Sequence, residues 1–289
     1  MDEGPPSTVC MGYLLYNGDM EKDTLTALTV IQHEDDCPPG MLSSLASEAG
    51  VALTCVRPYL GEELPSVESM ASTSRGLIIL GAGPGPLQDD RYDWLAPSRN
   101  LCLDAVEKEF PLFGICLGEE LLGAALGSEI TRRPKPAVGL CDVFPEPAAA
   151  TDPLFTRASL NTPDKAFRAF QWHQDEVSAL PAATLSGDPI VPLALDAEGR
   201  LEAFRVGEKA WGVQFHPEIT PEIATRWATT SALMPSDREV GSFARDIERW
   251  RGTTGRSDAA LRLLAAFLGI ATGEKDVSGN EGAPPARLP

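Results

Sequence analysis

A cysteine between two glycines, and a histidine followed closely by a glutamate, are the residues of this chain best equipped for chemistry. The first lies in Phe113-Gly114-Ile115-Cys116-Leu117-Gly118 and the second in Gly212-Val213-Gln214-Phe215-His216-Pro217-Glu218. Cys116 supplies a nucleophile, His216 a base and Glu218 a group to orient the base. That is the minimum set for cysteine-based acyl transfer. The alternatives are ordinary: a lone cysteine in an apolar stretch is most often a small buried hydrophobe, and a lone histidine near a strand end is most often structural. The chain has three histidines, His33, His173 and His216, and one of them stands in this strand–Pro–Glu setting.

The elements around these residues must place them. Pro111 to Ile115 reads as a short buried strand and Leu121 to Leu126 as a helix, with Cys116 on the turn between them. Glycine two positions before and two after permits a sharp turn, as in a nucleophile elbow with Cys in place of Ser. The helix start aims backbone N–H groups at the sulfur and favours thiolate. The N–H of Leu117 is a natural donor to an oxyanion. Ala210 to Phe215 reads as a second strand ending at His216. Pro217 stops it and makes plausible the bend that brings Glu218 onto the imidazole.

Four segments resemble the class I glutamine amidotransferases, specifically stand-alone proteins similar to the amidotransferase half of GMP synthase. They are Leu80-Gly81-Ala82-Gly83-Pro84-Gly85, Gly114 to Gly118, Phe170-Gln171-Trp172-His173 with Asp175, and Gly212 to Glu218. The likeness runs from about Thr24 to about Ile270. It implies that Cys116 attacks the side-chain amide of glutamine, His216 shuttles protons and Glu218 orients it. A glutamyl thioester forms, ammonia leaves and water releases glutamate. It also implies a second oxyanion donor at Gly83 beside Leu117, on a loop whose glycines allow close backbone approach. His173 and Trp172 would border the substrate pocket, with core packing the competing reading for Trp172.

Two departures bear on substrate. Where the family has a glutamine that helps hold the amino-acid end, this chain has Glu120, preceded by Glu119. Two carboxylates suit a helix N-terminus, yet they oppose a nearby thiolate and raise its pKa. Glu120 could instead pair with a substrate ammonium. The loop Ala82 to Pro86 also differs from the family's usual pattern. Two further functions therefore stay open: a γ-glutamyl peptidase or hydrolase acting on larger conjugates, and a non-catalytic sensor or partner-binding protein on the same scaffold.

Composition narrows the partners. The chain of 289 residues carries 24 Lys and Arg against 42 Asp and Glu, a formal charge of −18. That opposes binding to nucleic acid or to an anionic membrane through bulk charge. Six cysteines are widely spaced without a C-x-x-C pair, so no metal site or redox dithiol is suggested. Cys55, Cys102 and Cys141 are expected to be reduced and mostly buried. No apolar run is long enough to span a bilayer, and the N-terminus has no positive leader region. The expected location is cytoplasmic. No cofactor is implied; the partners expected are a small-molecule substrate and a separate ammonia-accepting synthetase.

Alternating strands and helices point to an α/β fold, an open, mostly parallel sheet flanked by helices (flavodoxin-like). The first strand is expected at Leu25 to Gln32, a loop at His33 to Pro39, a helix at Met41 to Glu48 and a strand at Val51 to Val56. Leu77 to Leu80, a helix around Arg99 to Glu109 and the strand into Cys116 follow. Antiparallel edge additions are expected at Val138 to Phe144, Ala166 to Trp172, Leu193 to Leu195 and Leu201 to Val206, with a hairpin turn at Asp196 to Gly199. C-terminal helices are expected from Pro221, at Val240 to Trp250 and at Asp258 to Leu268. Residues 1–23 read as an extension whose run Val9 to Tyr16 could add an edge strand, with Met20 an alternative start. Residues 24–272 read as the domain and 273–289 as a disordered tail. In such sheets ligands bind beyond the carboxyl ends of strands, so Gly81 to Gly85, Cys116 and His216 should share one cleft.

Overall fold

The architecture is given by a computed structural model that describes residues 26–163, 165–230, 233, 243 and 259–274. Nine strands form one mixed sheet in the order β2-β1-β3-β4-β9-β8-β7-β5-β6. The first half is parallel: β1 (Ala27–Ile31), β2 (Ala52–Val56), β3 (Leu77–Ile79), β4 (Leu112–Ile115) and β9 (Ala210–Val213). The second half is antiparallel: β8 (Leu201–Val206), β7 (Ile190–Asp196), β5 (Glu129–Pro145) and β6 (Phe167–Ala179). The expected fold class holds.

Side chains alternate across the sheet, as the strand pleat requires. Ile78, Leu80, Phe113 and Ile115 face a core built with α1 (Met41–Glu48), α5 (Pro153–Arg157) and the C-terminal helix α7 (Ala259–Thr272). Leu77, Ile79 and Leu112 face the opposite core with α2 (Val67–Ala71), α3 (Leu95–Glu107) and α4 (Leu117–Ala125). Most of these side chains are fully buried, each contributing about 1.5–3 kcal/mol of transfer free energy. A third cluster joins Phe170 and Trp172 of β6 to Ala224 and Trp227 of α6 (Pro221–Thr230).

Several expectations need correction. The helix expected from Leu121 begins at Leu117, directly after Cys116. Its first turn carries Glu119 and Glu120, as carboxylates at a helix N-terminus lead one to expect. The strand expected at Val138 to Phe144 extends back to Glu129. Its early part, with Arg132, Arg133, Pro134, Lys135 and Pro136, bears a register shift between Arg132 and Ala137, where ladder bonds are lost and proline is tolerated. The strand before His216 stops at Val213, and Gln214 and Phe215 bend. The short helix α2 was not anticipated. Cys102 is buried, whereas Cys55 and Cys141 are only half-buried. The expected features at Val9 to Tyr16 and Val240 to Trp250, and the tail beyond Glu274, lie outside the described residues. No described helix is long and apolar enough to cross a membrane.

Candidate active site

Cys116 sits on a forced turn. It has φ 52° and ψ −110°, an unusual conformation for a residue with a Cβ and one found at functional sites. The flanking glycines make the turn possible. A Cβ at Gly114 would lie 2.5 Å from the Gly118 carbonyl oxygen, and one at Gly118 would run into the Ile79 carbonyl. The helix start is thus pressed onto the end of β3. The Cys116 N–H is already used, donating to the Val213 carbonyl at 2.9 Å.

His216 stands across from the sulfur at the next strand end. A Cβ at Gly81 would lie 2.9 Å from His216 Cε1 and 3.7 Å from Cys116 Sγ, so both side chains converge on the space that Gly81 leaves open. His216 Nδ1–H donates to Glu218 Oε1 at 2.8 Å. Its Nε2 is buried without a partner among the described residues. The turn that returns Glu218 to the ring is held by α1, because the Met41 N–H donates to the Glu218 carbonyl at 2.7 Å. Trp227 packs edge-on against the imidazole, centroids 4.9 Å apart. Its Nε1–H donates to the Asp36 carbonyl at 2.9 Å, tying α6 to the loop after β1.

One cleft of ≈ 330 Å³ collects most of the residues singled out by sequence. Gly83, Cys116, Glu120, Trp172, His173 and His216 line it. Leu117 is fully buried, and its backbone N–H acts to lower the pKa of the Cys116 thiol. Glu218 lies behind His216. Trp172 resolves both of its readings, packing in the third cluster while reaching the cleft wall. The third histidine, His33, is a core residue, stacked on Trp94 and paired with Ser98 Oγ at 2.9 Å.

At the sulfur the expected rise from a first-turn carboxylate is present, whereas the expected net stabilisation of thiolate is not. Burial pushes the Cys116 thiol well above its ordinary range, with Glu120, Cys37 and Glu218 adding to the rise. Only the Leu117 N–H pulls the other way, so the resting sulfur is a neutral thiol.

Four contacts were not anticipated. The Gly83 N–H donates to Glu34 Oε2 at 3.0 Å. Gln214 Nε2 donates to Glu120 Oε1 at 3.0 Å. Arg132 at the rim pairs with Asp175 at 3.2 Å, and Trp227 walls the imidazole. Glu34 follows a parallel strand's carboxyl end, the one signal that could have marked it. Glu34, Asp36 and Cys37 also bring possible ligand atoms within 4.8 Å of one another, a grouping invisible as a spacing motif. Burial pushes the Cys37 thiol up, with Asp36, Glu34 and Glu218 adding to the rise.

The family model "Glutamine amidotransferase class-I" matches residues 41–228. The glutamine amidotransferase-like protein YfeJ of Salmonella typhimurium is 25% identical over 76% of this chain and 87% of its own length. GMP synthase of Aeropyrum pernix is 29% identical over 55% of this chain, which spans 26% of that protein. A glutamine-hydrolyzing GMP synthase subunit of Methanocaldococcus jannaschii is 33% identical over 49% of this chain and 64% of its own length. In fold, a glutamine amidotransferase from Thermotoga maritima superposes with a TM-score of 0.68 at 22% identity, covering 86% of this chain and 98% of that one. The family match spans the elbow at Cys116 and the turn at His216 to Glu218, and the chain belongs to the class I glutamine amidotransferases.

Proposed function

We propose that this protein hydrolyses the side-chain amide of glutamine through a glutamyl thioester on Cys116. The observation that carries the reading is the 2.8 Å bond from His216 Nδ1 to Glu218, which leaves Nε2 buried and, among the described residues, unpartnered beside the cleft that Cys116 lines. Because the resting sulfur is neutral, His216 takes the thiol proton as the sulfur attacks the amide carbon. The oxyanion forms beside the Leu117 N–H, with the Gly83 N–H as second donor once Glu34 releases it. His216 then returns the proton to the departing nitrogen, and ammonia leaves. Water attacks the thioester, again giving its proton to His216, and glutamate leaves as the thiol re-forms. Glu218 steadies the imidazolium in both halves.

Similarity to the GMP synthase subunit of Methanocaldococcus jannaschii supports a further element: a separate synthetase chain receives the ammonia. A cytoplasmic location accords with a working thiol nucleophile. A second reading, hydrolysis of larger γ-glutamyl conjugates, draws on Glu120 in the cleft wall in place of glutamine. The deciding experiment is glutamate release from L-glutamine and from γ-glutamyl dipeptides, with Cys116→Ala as control. Release from glutamine that vanishes in the variant is expected. A strong preference for dipeptides would install the second reading, and no release from any substrate, alone or with candidate synthetases, would sink both.

A further inference from the structure

The loop after β1 sets two carboxylates into the cleft wall with no cation between them. Glu34 and Asp36 both line the cleft and are half-buried. A carboxylate oxygen of each, together with Cys37 Sγ, lies within 4.8 Å of the others. The loop is held in place through its backbone: the Asp36 carbonyl accepts from Trp227 Nε1–H and from Arg226 Nη2, each at 2.9 Å. Arg226 thus goes to the main chain. None of the ion pairs among the described residues includes Glu34 or Asp36, whereas Glu62 pairs with Arg57, Asp152 with Arg205, and Glu176 with Arg133 and Arg200. Lone carboxylates are ordinary on the surface of an acidic chain. Two that converge in a concave wall repel each other and focus negative potential there.

The rest of the wall has the same polarity. His173 Nδ1–H donates to the Asp175 carbonyl at 2.9 Å. That leaves Nε2 as an acceptor in the cleft lining, on a residue 3% exposed, and without a partner among the described residues. Trp172 and Trp227 line the same cleft, and indole rings attract ammonium groups. Arg132, the one Lys or Arg in the lining, is already paired with Asp175 at 3.2 Å. Anions, a bare acceptor and indole rings together call for a ligand rich in N–H donors and positive charge.

We propose that Glu34 and Asp36 receive the ammonium of a cationic leaving group, so that the preferred substrates are γ-glutamyl amides of a diamine. This rests on the thioester reading and narrows its second branch, the larger γ-glutamyl conjugates. The Cys116 sulfur bonds the γ-carbonyl carbon and the C–N bond breaks. His216 passes the thiol proton to the departing nitrogen, the diamine leaves, and water releases glutamate from the thioester.

The same contact supplies a step that the reaction needs. Glu34 Oε2 holds the Gly83 N–H at 3.0 Å, and that N–H must be released to serve as the second oxyanion donor. An ammonium between the two carboxylates competes for Glu34 with a full positive charge, where the amide offers only a dipole. Substrate charge thereby opens the oxyanion position as the substrate binds.

Calorimetric binding to Cys116→Ala protein tests the assignment without turnover. The probes are γ-glutamyl-diaminopropane and its uncharged isostere γ-glutamyl-butylamide. The diamine conjugate is expected to bind about tenfold more tightly, the ratio that ~1.4 kcal/mol gives. It should lose that lead in Cys116→Ala/Asp36→Asn and in Cys116→Ala/Glu34→Gln. Equal binding of the two probes, tighter binding of the butylamide, or a lead that survives both substitutions would overturn the inference. Failure of both probes to bind would overturn it too, and glutamate release from glutamine by the wild type would then leave the glutaminase reading standing. A diamine lead with no glutamate release from any substrate would instead fault the catalytic reading alone and keep the site. With the catalytic cysteine present, the diamine conjugate should also show the higher kcat. A kcat gap unchanged by Glu34→Ala would strike out the Gly83 step.

Discussion

At the residue scale, the proton on Cys116 and the carboxylate of Glu34 control what the cleft can do. Burial pushes the Cys116 thiol up, so in the proposed reaction His216 makes the nucleophile at the moment of attack. Glu34 holds the Gly83 N–H at 3.0 Å, and a hydrogen bond to a charged group is worth about 1.5–3 kcal/mol. Burial raises the Glu34 carboxyl, with Asp36 adding to the rise, yet the bond stands where an oxyanion would need the same amide. Glu34→Ala should therefore free Gly83 and raise the kcat of the proposed glutaminase reaction. One oxyanion donor is worth about 10²–10³ in kcat, which sets the upper limit, and a gain of several-fold to about 100-fold is expected in steady-state assays at pH 7. An unchanged or lower kcat would remove Gly83 from the oxyanion site. That Cys116, His216 and Glu218 would come together was legible in the sequence, because the proposed acyl chemistry needs those types at a turn and a strand end. Glu34 was not legible: its contact spans 49 positions and exists only because the loops after β1 and β3 lie side by side.

At the element scale, the β4–α4 elbow is the part that cannot be loosened. Gly118 lets α4 begin against the Ile79 carbonyl, and Gly114 clears the Gly118 carbonyl. Gly118→Ala should push the helix start away from β3, costing about 1–3 kcal/mol as overpacking does, and displace Cys116 from His216. The check is the urea midpoint together with the alkylation rate of Cys116. A variant with parental stability and labelling would show that the elbow has slack. The same region shows what pattern reading can and cannot recover. The apolar runs Leu77 to Leu80 and Leu112 to Ile115 announced a parallel core because both faces of those strands are buried. The front of β5 was missed because Arg132, Arg133 and Lys135 interleaved with prolines carry no alternating signal on a half-exposed strand. The five-residue α2 is too short for a helical period to register.

At the scale of the whole molecule, buried acids and buried histidines make stability depend on pH in opposite directions. His33 and His173 are held neutral, with values lowered to about 4 and about 3. They favour the folded state above their unfolded value near 6.5, and that contribution fades as pH falls through 4 to 3. Glu120 and Glu202 are raised to about 8. Their protonated forms favour folding fully below about pH 4.5, and that advantage is lost as pH climbs through 8. Between pH 4.5 and 6.5 the two effects oppose each other. Between 6.5 and 8 the histidines are neutral in both states, and unfolded cysteine and lysine are still largely protonated, so the buried carboxyls dominate. The unfolding free energy should fall across that window, by at most about 1.4 kcal/mol per pH unit for each such group. Glu202→Gln should flatten the slope without touching the cleft. Urea unfolding at pH 6.5, 7.25 and 8 measures it, and a stability that stays level in the wild type would mean that the interior carboxyls are ionised in the folded protein.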